Sequence, residues 1–211
     1  MTEPGAGMPD PESRISNIVF MGMGEPFLNY ENVTGAIAKI TSTDGLGISP
    51  QRITVSSVGI PKMIKKMADD DPKYHFALSL HAATDAMRNQ IIPFNLKHPM
   101  GDLTEALKYY HKKTAKRFTV EYLLLRNFND AVANAKDLAQ FCRSFPVKIN
   151  IIEYNPVQGS AFMKSDPDKT RAFVDFLEHR NMVVNVRQSR GMDIDAACGQ
   201  LAGSKLKIKI N

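Results

Sequence analysis

Hydrophobic and polar positions along the chain fall into two alternating patterns. Six short runs are rich in β-branched and aromatic residues: NIVFM (17–21), RITVS (52–56), HFALS (75–79), FTVEYLLL (118–125), KINIIEY (148–154) and VVNVR (183–187). Most read as continuous apolar stretches rather than strict alternations, which predicts strands covered on both faces. Between them, apolar residues recur at helical spacing. Val33, Ala36, Ile37 and Ile40 follow Asn29, a candidate cap, while Leu103, Ala106, Leu107 and Tyr110 lie behind Asp102 and Glu105, a capping-box spacing. Ala135, Leu138, Ala139 and Cys142 repeat the pattern behind Asp130, and Phe173, Phe176 and Leu177 follow Asp166-Pro167. Pro61 opens a shorter helix through Lys66. Strand–helix alternation of this kind predicts an α/β fold with a parallel sheet, open or curled into a barrel. Residues 1–14, with five Pro and Gly and little apolar content, read as a flexible lead-in, and the alternating SKLKIKIN end (204–211) as a basic tail.

Polar and small residues collect after each predicted strand. They are Gly22-Met23-Gly24-Glu25-Pro26, then Ser56, Ser57 and Gly59, then Ser79-Leu80-His81, Arg126 to Asp130, Asn155-Pro156, and Gln188 to Gly191. In a parallel α/β sheet the strand ends open on one edge, so these residues would line a common pocket. Ordinary turn chemistry is the competing reading at any single site. Named phosphate chemistries fit poorly. Phe27 stands where the third glycine of a dinucleotide-binding fingerprint would fall, and Pro26 has no N–H to offer a phosphate.

Composition adds three constraints. With 43% hydrophobic and 23% charged residues, a chain of 211 is long enough for one ordinary core. No apolar run approaches a membrane span and the first residues carry no signal-peptide pattern, so a cytoplasmic protein without a membrane partner is expected. The net charge of +5 is compatible with a nucleic-acid partner without requiring one, and the basic residues Lys108, Lys112, Lys113, Lys116 and Arg117 read first as a solvated helix face. His75, His81, His98, His111 and His179 show no metal-ligand spacing; His111 and His179 read as surface residues, whereas His81 follows a buried-looking strand. The two cysteines exclude a disulfide framework and a thiolate-rich zinc site. Cys142 lies on the apolar stripe of its helix, a core position; Cys198 sits among small residues in a segment without periodicity, open to act as a nucleophile.

Taken in order, G-M-G-E-P (22–26), S-S-x-G (56–59), S-L-H-A (79–82), Y-N-P (154–156) and D-I-D-A-A-C-G-Q-L (193–201) closely resemble the radical S-adenosylmethionine RNA methyltransferases of the RlmN family, from Ile15 to Gly203. The resemblance implies a partial (β/α) barrel of the radical S-adenosylmethionine type, with parallel strands, whose C-terminal catalytic-cysteine loop completes a unit over 15–203. It implies that Gly24 and Glu25 contact the methionine amino group of S-adenosylmethionine. Ser56, Ser79, Leu80, His81 and Asn155 would complete the cofactor pocket, and Cys198 would carry the methyl group. In the scheme so implied, one S-adenosylmethionine methylates this thiol. A second yields a 5′-deoxyadenosyl radical that takes hydrogen from the S-methyl group, and the carbon radical adds to carbon 2 of an adenine. Ribosomal RNA is the implied partner, with transfer RNA and carbon 8 left as alternatives. The basic helix would then have a motive in phosphate contact.

The departure from the family is as informative as the match. A 4Fe-4S cluster held by C-x-x-x-C-x-x-C, and reduced by an electron donor, is implied upstream of G-M-G-E-P, yet no cysteine precedes Cys142, so no metal ligands are assigned in this chain. The expectation is a C-terminal portion of such an enzyme, monomeric, with the first barrel strand and cluster loop missing and unable to form the radical alone. A non-catalytic module that keeps S-adenosylmethionine or RNA binding is the alternative, and a cluster-free barrel enzyme acting on a small phosphorylated substrate is a third reading.

Overall fold

The computed structural model describes residues 15–22, 24–155 and 160–187. The segments 1–14, 188–191 and 204–211, and Cys198 itself, lie outside the described residues. Six parallel strands form one sheet in the order of the chain: β1 (Ile18–Phe20), β2 (Ile53–Ser57), β3 (His75–Ser79), β4 (Phe118–Leu124), β5 (Val147–Glu153) and β6 (Val183–Arg187). Between them run α1 (Tyr30–Thr41), α2 (Pro61–Asp69), α3 (Asp85–Ile91) with α4 (Met100–Thr114), α5 (Val132–Cys142) and α6 (Pro167–Glu178). Sequential order without a reversal is the order of a (β/α) barrel rather than of a doubly wound sheet. The sheet stays open: β1 and β6 are its two edges.

The two faces of this sheet differ. One carries Ile53, Val55, Phe76, Leu78, Phe118, Val120, Tyr122, Ile149 and Ile151, packed with apolar residues of α1, α2, α4, α5 and α6 into a single core. Stacked and tilted rings run through it from Phe27 to Phe76 to Phe118 to Phe145, with centroids 5.6–5.8 Å apart. The strand register puts Thr54, Ser56, Ser79, Thr119, Glu121, Lys148, Asn150, Asn185 and Arg187 on the other face. None of these joins the core, and most are partly exposed. This corrects the expectation of strands covered on both faces. Alternations such as Phe-Thr-Val-Glu-Tyr in β4 and Val-Lys-Ile-Asn-Ile in β5 belong to strands with helices on one side and a polar concavity on the other.

Four local expectations also change. Asp102 and Glu105 form no capping box, because α4 begins two residues earlier, at Met100, behind Pro99. Its first N–H is satisfied instead by Asp85 Oδ1, at 2.8 Å. The turn from Asp85 to Ile91 is an additional helix, too short for its periodicity to be read from sequence. The basic run straddles the end of α4 and the start of β4, the edge where strands begin, opposite the strand ends. There Lys113 pairs with Asp69 at 3.4 Å and Lys116 with Asp71 at 2.9 Å. Its position and these acidic partners weigh against phosphate contact at the pocket. His111, read as a surface residue, is half-buried there, with Nδ1 3.4 Å from the Lys116 carbonyl, while His179 is exposed as expected. Cys142 is a core residue as expected, and burial pushes its thiol up to about 12.

Candidate functional site

The polar face of the sheet runs to the C-terminal ends of the strands. After β1, Gly24 adopts φ +95°, a left-handed conformation that side chains disfavour, and turns the chain so that Glu25 starts a short 3-10 turn, Pro26–Asn29. Pro26 at the first position forgoes an N–H that would have no partner there. Phe27 anchors the turn in the core. The Glu25 carboxylate is held at both oxygens: Oε1 accepts from the Phe27 N–H at 2.9 Å, and Oε2 from the Val58 N–H beyond β2 at 2.8 Å. Each oxygen keeps a second lone pair, and the side chain is only half-buried. The result is a fixed negative charge at the mouth.

Ser56 and Ser79 face each other across β2 and β3, with hydroxyl oxygens 2.9 Å apart. One hydroxyl proton makes that bond, which leaves the pair one proton and several lone pairs for a ligand. Ser57 and Gly59, by contrast, belong to the turn. Ser57 is buried on the helix side and its Oγ accepts from the Gly59 N–H at 3.0 Å. A Cβ on Gly59 would stand 2.8 Å from both Leu78 and Leu103.

Leu80 is wholly buried, and its own backbone groups are engaged within the protein, the carbonyl accepting from the Ala82 N–H at 2.7 Å and from Arg88. His81 follows it at φ +57°, unusual for a side-chain-bearing residue. The Leu80 and His81 N–H groups both point at the Glu121 carbonyl, at 3.0 and 3.4 Å. The His81 Nδ1 accepts from the Leu123 N–H at 3.1 Å, so the ring proton of a neutral imidazole sits on Nε2. Burial, and secondarily the Arg88 charge, lowers the His81 imidazole to about 4. Because that lies below the ordinary 6.5, the unfolded chain takes up the proton first as pH falls. The contribution of His81 to stability is fully present above about 6.5 and is lost as pH drops toward about 4. Urea unfolding of wild type and His81→Gln should therefore show a stability difference that moves against wild type across that window; a constant difference contradicts it.

Asn155 lies just past β5 at the same edge and is buried. Three residues that sequence reasoning did not single out, Glu121, Asn150 and Arg88, complete the arrangement together with Asn129 of the Arg126 to Asp130 loop. Glu121, in register with Ser79 on one side and Asn150 on the other, accepts from Asn150 Nδ2 at 2.8 Å. Burial raises its carboxyl, and Oε2 has no hydrogen-bond partner among the described residues, with Arg187 Nη1 3.8 Å away. A lone carboxylate amid the apolar FTVEYLLL run was the signal for it. Arg88 is wholly buried. It donates to the Leu80 carbonyl (3.2 Å), to Asn95 Oδ1 (2.6 Å) and to the Val58 carbonyl. Asn129 sits opposite, against His81 and β4.

The chain matches no protein-family model. It is 52% identical over 199 residues to a probable dual-specificity RNA methyltransferase RlmN of Christiangramia forsetii, covering 92% of this chain and 56% of that one. To the protein of the same description from Flavobacterium johnsoniae it is 50% identical over 205 residues, covering 94% and 59%. The chain thus spans somewhat more than half the length of these curated relatives. Among solved structures, a radical SAM methyltransferase from Sphaerobacter thermophilus superposes with a TM-score of 0.86 at 37% identity, over 89% of this chain and 55% of that one.

Proposed function

This chain belongs to the RlmN family of RNA methyltransferases, and from that premise we propose that its strand-end mouth binds S-adenosylmethionine for methylation of carbon 2 of adenine in ribosomal RNA. Transfer RNA is a second substrate class under the same reading. The observation that carries it is the Glu25 carboxylate, fixed by two backbone N–H groups beside the Ser56–Ser79 pair and the His81 donor. A cationic ammonium suits Glu25, and the hydroxyl and carboxylate groups of the same ligand suit the uncharged donors and acceptors next to it. Gly24 leaves the approach to Glu25 open, since nothing among the described residues lies within 4 Å of where its Cβ would be. Leu80 belongs to this reading by its place between Ser79 and His81, and Asn155 stands at the same edge.

S-adenosylmethionine bound there would supply the methyl group; its cleavage to a radical would need one electron from a reductant that these residues do not hold. Cys198 is the residue of this chain assigned to carry the methyl group as a thioether, in the D-I-D-A-A-C-G-Q-L segment. A 4Fe-4S cluster does not fit this chain. Its two cysteines cannot supply three thiolates, Cys142 is buried in the core, and no group of three or more metal-binding side chains occurs among the described residues. No step of the reaction is therefore derived through a cluster. No helix among the described residues is long and apolar enough to cross a membrane.

Peptide mass analysis of an RNA-methylating preparation that carries this sequence should find one added methyl group on Cys198. An unmodified Cys198 in a preparation that turns over would remove the assignment. The same cysteine count favours a second reading, binding of S-adenosylmethionine or RNA without chemistry. That reading predicts iron-independent binding that Asn155→Ala weakens, with Cys198 never methylated.

A further inference from the structure

Between β4 and α5 the chain makes a tight turn, Arg126 to Asp130. Asn127 takes a left-handed φ of +56°, and the Phe128 and Asn129 N–H groups fold back onto the Leu125 carbonyl at 3.1 and 3.3 Å. Asp130 locks the turn, with Oδ1 accepting from the Asn127 N–H at 3.0 Å and Oδ2 from the Ser165 hydroxyl at 2.7 Å. This geometry drives Asn129 inward, where it is wholly buried.

Every polar atom of that side chain is spent. Its Nδ2 donates to the His81 carbonyl and to the Leu123 carbonyl, each at 2.7 Å, and its Oδ1 accepts from the Leu125 N–H at 2.7 Å. One amide therefore ties the end of β4, through Leu123 and Leu125, to the backbone of His81 in the neighbouring loop. Between those tie points, the Leu123 N–H donates to the His81 ring. A residue held at φ +57° persists only where its surroundings fix it.

We propose that Asn129 is the positioning residue of the pocket: by clamping His81 to the end of β4 it fixes the imidazole in the tautomer that presents Nε2–H to a ligand. His81 then offers a hydrogen-bond donor and no base, because its one accepting nitrogen is already occupied by Leu123. The ligand atom it meets is an acceptor, such as a carboxylate or ring oxygen or a purine ring nitrogen. The inference deepens the cofactor reading and rests on it for the ligand's identity alone. Among the described residues the charged side chain that acts on the ring is Arg88, which opposes protonation; Glu121 meets His81 through its backbone carbonyl, and its carboxylate is directed to Asn150.

The test is ring-15N histidine NMR on this chain, with His81→Gln to assign the signal. In wild type His81 should be a single Nε2–H tautomer whose shifts stay constant from about pH 8 to about pH 5. Asn129→Asp keeps the acceptor for Leu125 but loses both donors. In that variant His81 should populate both tautomers and titrate near the ordinary 6.5. Tyr122→Phe removes only the hydroxyl that donates to the Asn129 carbonyl at 3.2 Å and should leave the ring locked. A wild-type His81 protonated on Nδ1, or a locked ring in folded Asn129→Asp, overturns the proposal. Hydrogen exchange in wild type needs no variant: the Asn129 side-chain amide and the Leu123 N–H should become exposed together, and Leu123 exchanging while Asn129 stays protected overturns it as well. Calorimetry with S-adenosylmethionine should give about tenfold weaker binding in Asn129→Asp. No binding by wild type would count against the cofactor reading alone, and the NMR result would still decide the role of Asn129.

Discussion

Arg88→Ala is expected to lower the stability of this protein by about 3–5 kcal/mol, and its melting temperature by roughly 10 °C. Arg88 is wholly buried, and its guanidinium joins the loops after β2 and β3 by bonding the Val58 and Leu80 carbonyls. Its third bond, to Asn95 Oδ1, connects a wider network. Asn95 Nδ2 donates to Asp85 Oδ1 and Asn89 Oδ1, and Asp85 also satisfies the first N–H of α4. Burial lowers the guanidinium to about 10, so it stays charged at neutral pH. Alanine would take the donor from the Val58 carbonyl and from Asn95 Oδ1, leave the Leu80 carbonyl with the Ala82 N–H alone, and open a cavity where a long side chain stood. Thermal unfolding followed by circular dichroism measures this. A loss under about 1 kcal/mol would mean that the network contributes little beyond ordinary packing.

The second large effect falls on ligand affinity. Glu25→Ala should weaken S-adenosylmethionine binding by about 100-fold and Glu25→Gln by at least about tenfold. Both remove the charge that faces an ammonium. Alanine also strips the acceptors from the Phe27 and Val58 N–H groups, which releases the 3-10 turn and the β2 loop together. Glutamine retains one acceptor but sets an amide N–H₂ against one of those two donors. Calorimetry of both variants separates charge from geometry. Equal affinities for Gln, Ala and wild type would show that Glu25 serves the loops alone.

Much of this arrangement was legible in the chain because strands, glycines and capping prolines act locally. The six strands lie where β-branched runs predict them, and Gly24, Pro26 and Pro167 do in the structure what their backbone preferences dictate. What resisted reading is what only tertiary contact creates. Arg88 lies on a seven-residue helix, and nothing in DAMRNQI marks it as buried, since its acceptors come from residues 58, 80 and 95. Asn129 stands in a polar loop where turn-making and bracing look alike, and its partners lie as far as 48 residues away. The one-sided sheet was hidden for a different reason: β4 and β5 carry apolar pairs near their ends, Leu123-Leu124 and Ile151-Ile152, that mask the alternation before them. The basic run was legible as sequence but not as place, and only the fold sets it on the edge away from Glu25 and His81.

The strand ends of β1 to β5 are proposed as an S-adenosylmethionine site, with Glu25 at the ammonium and His81 donating from Nε2. A crystal structure of this chain grown with saturating S-adenosylmethionine tests it most directly. The account predicts the methionine amino group within hydrogen-bond distance of Glu25, and an acceptor atom of the ligand within that distance of His81 Nε2, beside the Ser56–Ser79 pair. Ligand bound anywhere else, or these strand ends empty at saturation, would contradict it.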